Sequence, residues 1–141
     1  MRIGIINGPN LNMLGVREPG VYGNQTLDDI IESLKQEFQK DDILNFQSND
    51  EGELISKVQE WGMSLDGIII NPGGYSHTSV AIRDAIASIT TPVIEVHISN
   101  IHAREEFRHT TITGGACKAV ISGLGAEGYS VALRFLIESN N

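Results

Sequence analysis

Short apolar runs alternate with amphipathic segments along the whole chain, and this alternation restricts the fold more than any other feature. The strand-like runs cover residues 2–7, 43–48, 67–71, 92–97 and 118–122. The segments with apolar residues at helical spacing cover 26–40, 51–61, 79–89 and 126–138. Such an alternation predicts one doubly wound α/β domain with a five-stranded parallel sheet and right-handed crossovers. We expect the flavodoxin-like strand order 2-1-3-4-5.

Length, charge and cysteine content exclude several classes of protein. With 141 residues the chain has enough length for a single domain over 1–141, and it contains no apolar run near the roughly 20 residues of a membrane span. The net charge of −8 disfavours nucleic acid and anionic membranes as partners, because neutralising phosphates requires clustered Lys and Arg. The lone Cys117 allows no internal disulfide, which favours a reducing, cytoplasmic location.

The connection after the first strand is unusually long. Such connections usually have about 2–6 residues, but here no helix is expected before Thr26, which leaves a loop over about 8–25. The loop carries Arg17 and Tyr22 between glycines. A loop of this length predicts the lid of a binding or catalytic site. A nearby cation would also favour the ionised, basic form of a phenol.

Polar residues follow the first, third and fourth strands, which is where a doubly wound sheet binds its ligands. Asn7, Asn10 and Asn12 follow the first strand, the run from Asn71 to His77 follows the third, and the run from Glu95 to Arg108 follows the fourth. Strand alternation places Glu95 and His97 on one face of the sheet. This spacing favours a general acid or base oriented by a carboxylate, with a buried structural histidine as the alternative.

The other polar residues are ambiguous from the sequence alone. Asn71 ends a buried strand and needs hydrogen-bond partners, of which a ligand hydroxyl is one. His77 precedes a helix and could donate a hydrogen bond to an anion at the N-terminus of that helix. Arg108 could bind a ligand hydroxyl or carboxylate, or it could pair with Glu105. Asp84 has the pattern of a solvent-exposed acid on an amphipathic helix. The Gly123–Gly128 segment matches the dinucleotide-binding pattern G-x-G-x-x-G, but no further strand follows it. It is therefore better interpreted as the entry to the last helix. No standard zinc spacing occurs.

Several long segments together resemble the type II 3-dehydroquinate dehydratase family over nearly the whole chain. The segments that carry the resemblance are 7–19 (NGPNLNMLGVREP), 22–23 (YG), 46–49 (FQSN), 70–79 (INPGGYSHTS) and 95–108 (EVHISNIHAREEFR). The chain departs mildly from the family pattern between Thr110 and Lys118.

The resemblance implies an anti elimination of water from 3-dehydroquinate through an enolate, without metal or cofactor. In this scheme Tyr22 is the base that removes the C2 proton, and Arg17 lowers the pKa of Tyr22 and stabilises negative charge. Asn10 holds a water molecule against the enolate oxygen. His97, oriented by Glu95, protonates the departing C1 hydroxyl.

The resemblance also implies the groups that bind the substrate and the assembly of the protein. The substrate hydroxyls would be bound by Asn71, His77 and Arg108, and the carboxylate by Ile98 and Ser99. Asp84 would act from a neighbouring subunit of a homododecamer built as a tetramer of trimers.

Two other classes of function stay open from the residues alone. One is a flavodoxin-like small-ligand binding or signalling module, although a phosphoryl-accepting receiver would need acids where Asn7 and Asn71 stand. The other is a metal hydrolase, for which the Glu95, His97 and His102 group lacks a standard spacing.

Overall fold

A five-stranded parallel sheet forms the centre of the fold. In this computed structural model, which describes residues 1–16 and 24–140, the strand order is β2-β1-β3-β4-β5. All four neighbouring pairs are parallel. The strands are β1 (Arg2–Asn7), β2 (Asp42–Gln47), β3 (Gly67–Asn71), β4 (Val93–His97) and β5 (Ala119–Ser122). The predicted fold class and strand order are therefore confirmed.

Helices follow four of the five strands in the described part of the chain. They are α1 (Leu27–Glu37), α2 (Glu51–Gly62), α3 (Val80–Ala87) and α4 (Glu127–Ser139), which come after β1, β2, β3 and β5. Three begin at a side chain that accepts from the first turn: Thr26, Asp50 and Ser79. Such caps satisfy backbone N–H groups that have no partner within the helix, which explains why the predicted helix starts lie within a residue of the observed ones.

The helices cover both faces of the sheet with apolar side chains. On one face, Ile3, Ile5 and Ile69 pack with α1 and α4, and on the other Ile6, Ile68 and Ile70 pack with α2 and α3. Of the three inner strands, β3 and β4 are buried along their whole length and β1 is buried from Ile3 onward. Burial on both faces explains the continuous apolar runs of the sequence. None of the helices in the described ranges is long and apolar enough to cross a membrane.

Irregular segments follow β1, β3 and β4. They contain short 3-10 turns at Leu11–Met13, Gly73–His77, Ile101–Ala103 and Glu106–Arg108, and another, Thr113–Ala116, precedes β5. The first part of the predicted 8–25 loop is this irregular chain after β1. Arg17 and Tyr22 lie outside the described residues.

Candidate active site

The carboxyl end of the sheet places its polar side chains on two different faces. Asn7 of β1 and Asn71 of β3 are paired in register, and both are buried. Their side chains meet Tyr129 of α4, on the face covered by α1 and α4. Glu95 and His97 of β4 lie on the opposite face, because they alternate with Ile94 and Val96 of the α1–α4 cluster.

Glu95 and His97 form a buried pair, as the alternation of β4 predicts. His97 Nε2 lies 2.7 Å from Glu95 Oε2, the Glu95 side chain has no exposed surface, and that of His97 is 7% exposed. Since a carboxylate can only accept, Nε2 carries the hydrogen of this bond. Nδ1 is then the nitrogen of His97 that is available to a ligand.

His77 stacks on His97 at the same end of the sheet. The ring centroids are 6.1 Å apart with an interplanar angle of 25°. His77 Nδ1 lies 2.9 Å from the carbonyl oxygen of Thr110, so Nδ1 is the donor and Nε2 is left for another partner. His77 and His97 therefore each have one ring nitrogen that forms no hydrogen bond with the described residues.

One pocket brings most of the predicted residues together. Seven of the eleven lie in its wall: Asn10, Asn71, His77, His97, Ile98, Ser99 and Arg108. Glu95 is buried behind His97. Asn10, whose backbone N–H donates to Asn49 Oδ1 at 3.0 Å, has a φ of 71°, a left-handed conformation that asparagine adopts more readily than other non-glycine residues.

The wall of the pocket is cationic. Arg104 and Arg108 both line it, and among the described lining residues no Asp or Glu occurs. Arg108 Nε donates to Glu105 Oε2 at 2.6 Å, and this hydrogen bond holds the pKa of Glu105 below its ordinary value. Arg108 thus both pairs with Glu105 and faces the pocket. Two guanidinium groups suit an anionic ligand such as a carboxylate.

The segment after His97 is held by the end of β5. Backbone N–H groups of Gly123 and Gly125 donate to the carbonyl oxygens of His97 and Ile98. Both glycines have positive φ, 92° and 62°, which lets the chain turn tightly before α4 begins at Glu127. The dinucleotide-like Gly123–Gly128 segment is thus a helix entry, as predicted, and it also fixes the backbone at Ile98.

Asn71 is fixed from two sides. Its Nδ2 donates to the Tyr129 hydroxyl at 3.1 Å, and its Oδ1 accepts from the Gly73 backbone N–H at 3.1 Å. The Tyr129 hydroxyl in turn donates to Asn7 Oδ1 at 2.5 Å. Burial raises the pKa of Tyr129, so the phenol stays protonated and keeps donating. These bonds define which way the Asn71 amide points.

Not all of the predicted residues can be placed at the pocket. Asp84 is exposed on α3 and does not line the pocket. Arg17 and Tyr22 lie outside the described residues. His102 and His109 are exposed, and their ring centroids are 5.9 Å apart.

Sequence reasoning missed four residues of this region. Arg104 lines the pocket, Tyr129 orients Asn71, and Thr111 and Thr113 donate to Glu95. Tyr129 is fully buried, and its hydroxyl has two polar partners, Asn7 and Asn71. A buried tyrosine generally needs a polar partner, and that is the signal that could have identified it. No local pattern links the threonines to Glu95.

In the ranges 1–16 and 24–140 there is no cluster of three or more His, Cys, Asp or Glu side chains that could hold a metal ion.

Comparison with known proteins gives consistent results over the length of the chain. The sequence model described as Dehydroquinase class II matches residues 1–137. The 3-dehydroquinate dehydratase of Aliarcobacter butzleri is 50% identical, covering 100% of this chain and 87% of the relative. That of Bacillus licheniformis is 51% identical, with 97% and 96% covered.

Solved structures agree with the sequence relatives. The crystal structure of type II dehydroquinase from Butyrivibrio crossotus superposes with a TM-score of 0.93 at 45% identity, covering 97% of both chains. The type II dehydroquinase of Propionibacterium acnes gives a TM-score of 0.92 at 39% identity, covering 96% of this chain and 94% of that one. The family model matches nearly all residues, and the relatives are about half identical over the length of the chain. Together with the superposed structures and the pocket at the carboxyl end of the sheet, these matches show that the chain belongs to the class II dehydroquinase family.

Proposed function

We propose that this chain, a type II 3-dehydroquinate dehydratase by family, eliminates water from 3-dehydroquinate with His97 as the acid that protonates the leaving hydroxyl. The product is the conjugated enone 3-dehydroshikimate, an intermediate of the shikimate pathway. The observation that carries this mechanism is the buried Glu95–His97 pair in the wall of the cationic pocket.

His97 is suited to deliver a proton to the C1 hydroxyl. Its Nε2–H is held by Glu95, so a proton on Nδ1 is the one that a ligand in the pocket could take. The adjacent carboxylate stabilises the imidazolium that this role requires. The proton transferred from Nδ1 and the C1 hydroxyl leave together as water, and the C2–H electrons, carried through the enolate, form the C1–C2 double bond.

The substrate would be held by the remaining pocket residues. Asn71, His77 and Arg108 are proposed to bind its hydroxyls, and Ile98 and Ser99 its carboxylate. All five line the same pocket, which supports a common ligand. Arg104, whose Nη1 donates to Ser99 Oγ at 3.4 Å, adds positive charge beside the proposed carboxylate site.

The first half of the reaction is proposed from the family resemblance. Tyr22 would remove the C2 proton, Arg17 would favour the ionised form of Tyr22, and Asn10 would hold a water molecule against the enolate oxygen. The position of Asn10 in the pocket wall is compatible with this role. A donor aimed at such an oxygen is worth roughly 3–4 kcal/mol.

The assembly and location of the protein are also proposals. We propose a homododecamer, a tetramer of trimers, in which Asp84 of one subunit reaches the site of a neighbour. The exposure of Asp84 on α3 is compatible with such a contact. The single cysteine favours a cytoplasmic location.

The test is turnover of 3-dehydroquinate by the purified protein, followed through the ultraviolet absorbance of the enone. We expect turnover in the presence of a metal chelator and no borohydride-trapped adduct, because the scheme uses no metal and no Schiff base. No turnover under these conditions would contradict the proposed activity.

Three variants separate the proposed roles. Tyr22→Phe should abolish turnover and leave the circular dichroism spectrum unchanged, and Arg17→Ala should be similarly damaging. His97→Ala should slow loss of water more than exchange of the C2 proton with solvent. Equal losses of exchange and dehydration in His97→Ala would show that the acid and base roles are wrongly divided.

A further inference from the structure

Two threonine hydroxyls contact Glu95 in addition to His97. Thr111 Oγ1 donates to Glu95 Oε2 at 2.6 Å, and Thr113 Oγ1 donates to Oε1. Because a carboxylate oxygen can only accept, the Thr111 hydroxyl directs its hydrogen to Glu95, and its oxygen accepts from the Gly114 backbone N–H at 3.0 Å. Both oxygens of this fully buried carboxylate are therefore engaged.

A buried carboxylate depends strongly on such partners. Removing a charged group from water is costly unless hydrogen bonds replace the lost hydration, and hydrogen bonds to an ionised group are about twice as strong as neutral ones. Glu95 receives three hydrogen bonds, from Thr111, Thr113 and His97. Two of them come from hydroxyls, one to each carboxylate oxygen, and these two bonds orient the carboxylate plane independently of His97.

The backbone that carries the two threonines is fastened to neighbouring elements. The Ile112 N–H donates to the Ser76 carbonyl oxygen at 2.6 Å, in the turn between β3 and α3. Arg83 of α3 donates from Nη1 to the Ile112 carbonyl oxygen at 2.6 Å. Thr111 and Thr113 flank this doubly bonded residue, so their hydroxyls are held in place from both sides.

Two glycines let this segment lie close to Glu95. A Cβ at Gly114 would lie 2.6 Å from Thr111 Cγ2 and 3.2 Å from Glu95 Oε2. A Cβ at Gly115 would lie 2.3 Å from Arg83 Nη1. A larger residue at either position would therefore have to displace one of the side chains that build this contact, Thr111, Glu95 or Arg83. The close approach of the hydroxyls to Glu95 is thus built into the sequence of the segment.

We propose that Thr111 and Thr113 are positioning residues for the acid step: they fix the Glu95 carboxylate, which in turn holds His97 with Nδ1 open to the pocket. Neither threonine is among the residues that line the pocket, so they act through Glu95. The kinetic part of this inference rests on the proposed function.

The kinetic test compares threonine with valine, which keeps the shape of the side chain and removes the hydroxyl. In Thr113→Val and Thr111→Val we expect kcat to fall by about tenfold, the equivalent of one hydrogen bond to a charged group, with KM little changed. Exchange of the C2 proton should fall less than dehydration. Thr113→Ser and Thr111→Ser should restore most of kcat, because serine retains the hydroxyl.

A second measurement does not depend on the activity. In ¹⁵N-histidine-labelled protein, the His97 ring should be found with hydrogen on Nε2 in the wild type, and as a mixture of tautomers in Thr111→Val and Thr113→Val. If 3-dehydroquinate is not turned over by the wild type, the proposed function fails, and the tautomer measurement still decides the positioning role.

The controls separate the hydroxyls from general damage. Thr90→Val changes an exposed threonine for which no side-chain hydrogen bond is found among the described residues, and it should leave kcat unchanged. Circular dichroism establishes folding; if Thr113→Val does not fold, Thr111→Val carries the same test because Thr113 still contacts Glu95. Unchanged kcat and tautomer in the valine variants, or equal losses in serine and valine variants, would overturn the proposal.

Discussion

Removal of the Tyr129 hydroxyl should destabilise the protein and weaken substrate binding together. The hydroxyl is fully buried and joins two side chains, donating to Asn7 Oδ1 at 2.5 Å and accepting from Asn71 Nδ2 at 3.1 Å. Tyr129→Phe keeps the ring and leaves both of these polar atoms without this partner. In the described chain Asn7 Nδ2 already lacks a partner, so the variant would leave the whole Asn7 amide unpaired.

The size of the effect follows from these two atoms. An unsatisfied buried polar group costs about 1–3 kcal/mol, so two of them give an expected loss of about 2–6 kcal/mol in the free energy of unfolding. Asn71 can regain a partner only by turning its amide, which would break the 3.1 Å bond from Gly73 to its Oδ1. Because Asn71 is proposed to bind a substrate hydroxyl, we also expect KM to rise by several fold.

The assay is urea unfolding at one fixed protein concentration, followed by the fluorescence of the single tryptophan, Trp61, which is buried on α2. Tyr75→Phe is the matched control, because no hydrogen bond of its hydroxyl is found within the described ranges. The control should change the free energy of unfolding by less than about 0.5 kcal/mol. A loss no larger than this in Tyr129→Phe, with KM unaltered, would refute the assigned role of the hydroxyl.

Three further predictions follow from other contacts. Burial raises the pKa of Cys117 from 9.0 to about 12, so the thiol ionises more readily in the unfolded chain than in the folded one. The free energy of unfolding should therefore fall as the pH rises above 9, and it should fall less in Cys117→Ala. Urea midpoints measured from pH 8 to 11 would show this difference. Gly4→Ala should lower the free energy of unfolding by several kcal/mol, measured by urea unfolding, because its Cβ would lie 2.2 Å from Trp61 Cε3. Asn10→Gly should leave the urea midpoint unchanged, because glycine readily adopts the φ of 71° found at this position. The same variant should reduce kcat in the enone assay, and full activity would show that Asn10 has no role in the mechanism.

Regular periodicity made most of the fold predictable. The buried strand β3 carries isoleucines on both faces, and Thr26, Asp50 and Ser79 cap the helices where the sequence predicts helix starts. The same regularity located the Glu95–His97 pair, since residues two apart on a strand share a face. Both inferences need only local geometry, which the sequence encodes directly.

The hydrogen bonds that Thr111 and Thr113 donate to Glu95 could not be predicted in the same way. Thr111 and Thr113 lie 16 and 18 residues from Glu95 along the chain, in an irregular segment without a period. Their position depends on Arg83 and on two glycines that allow close approach, which are tertiary contacts. Tyr129 is similar: its ring is predictable as core, but its hydroxyl meets Asn7 only after α4 packs on the sheet.

The two halves of the site are therefore held by different elements on different faces of the sheet. Asn71 is oriented by Tyr129 of α4, whereas Glu95 is fixed by Thr111 and Thr113. No hydrogen bond in the described chain joins Tyr129 to either threonine. The losses in unfolding free energy of Tyr129→Phe and Thr113→Val should thus add to within about 0.5 kcal/mol in the double variant. A larger coupling would show that the sheet transmits strain between its faces, and that the binding and acid halves of the site are not independently built.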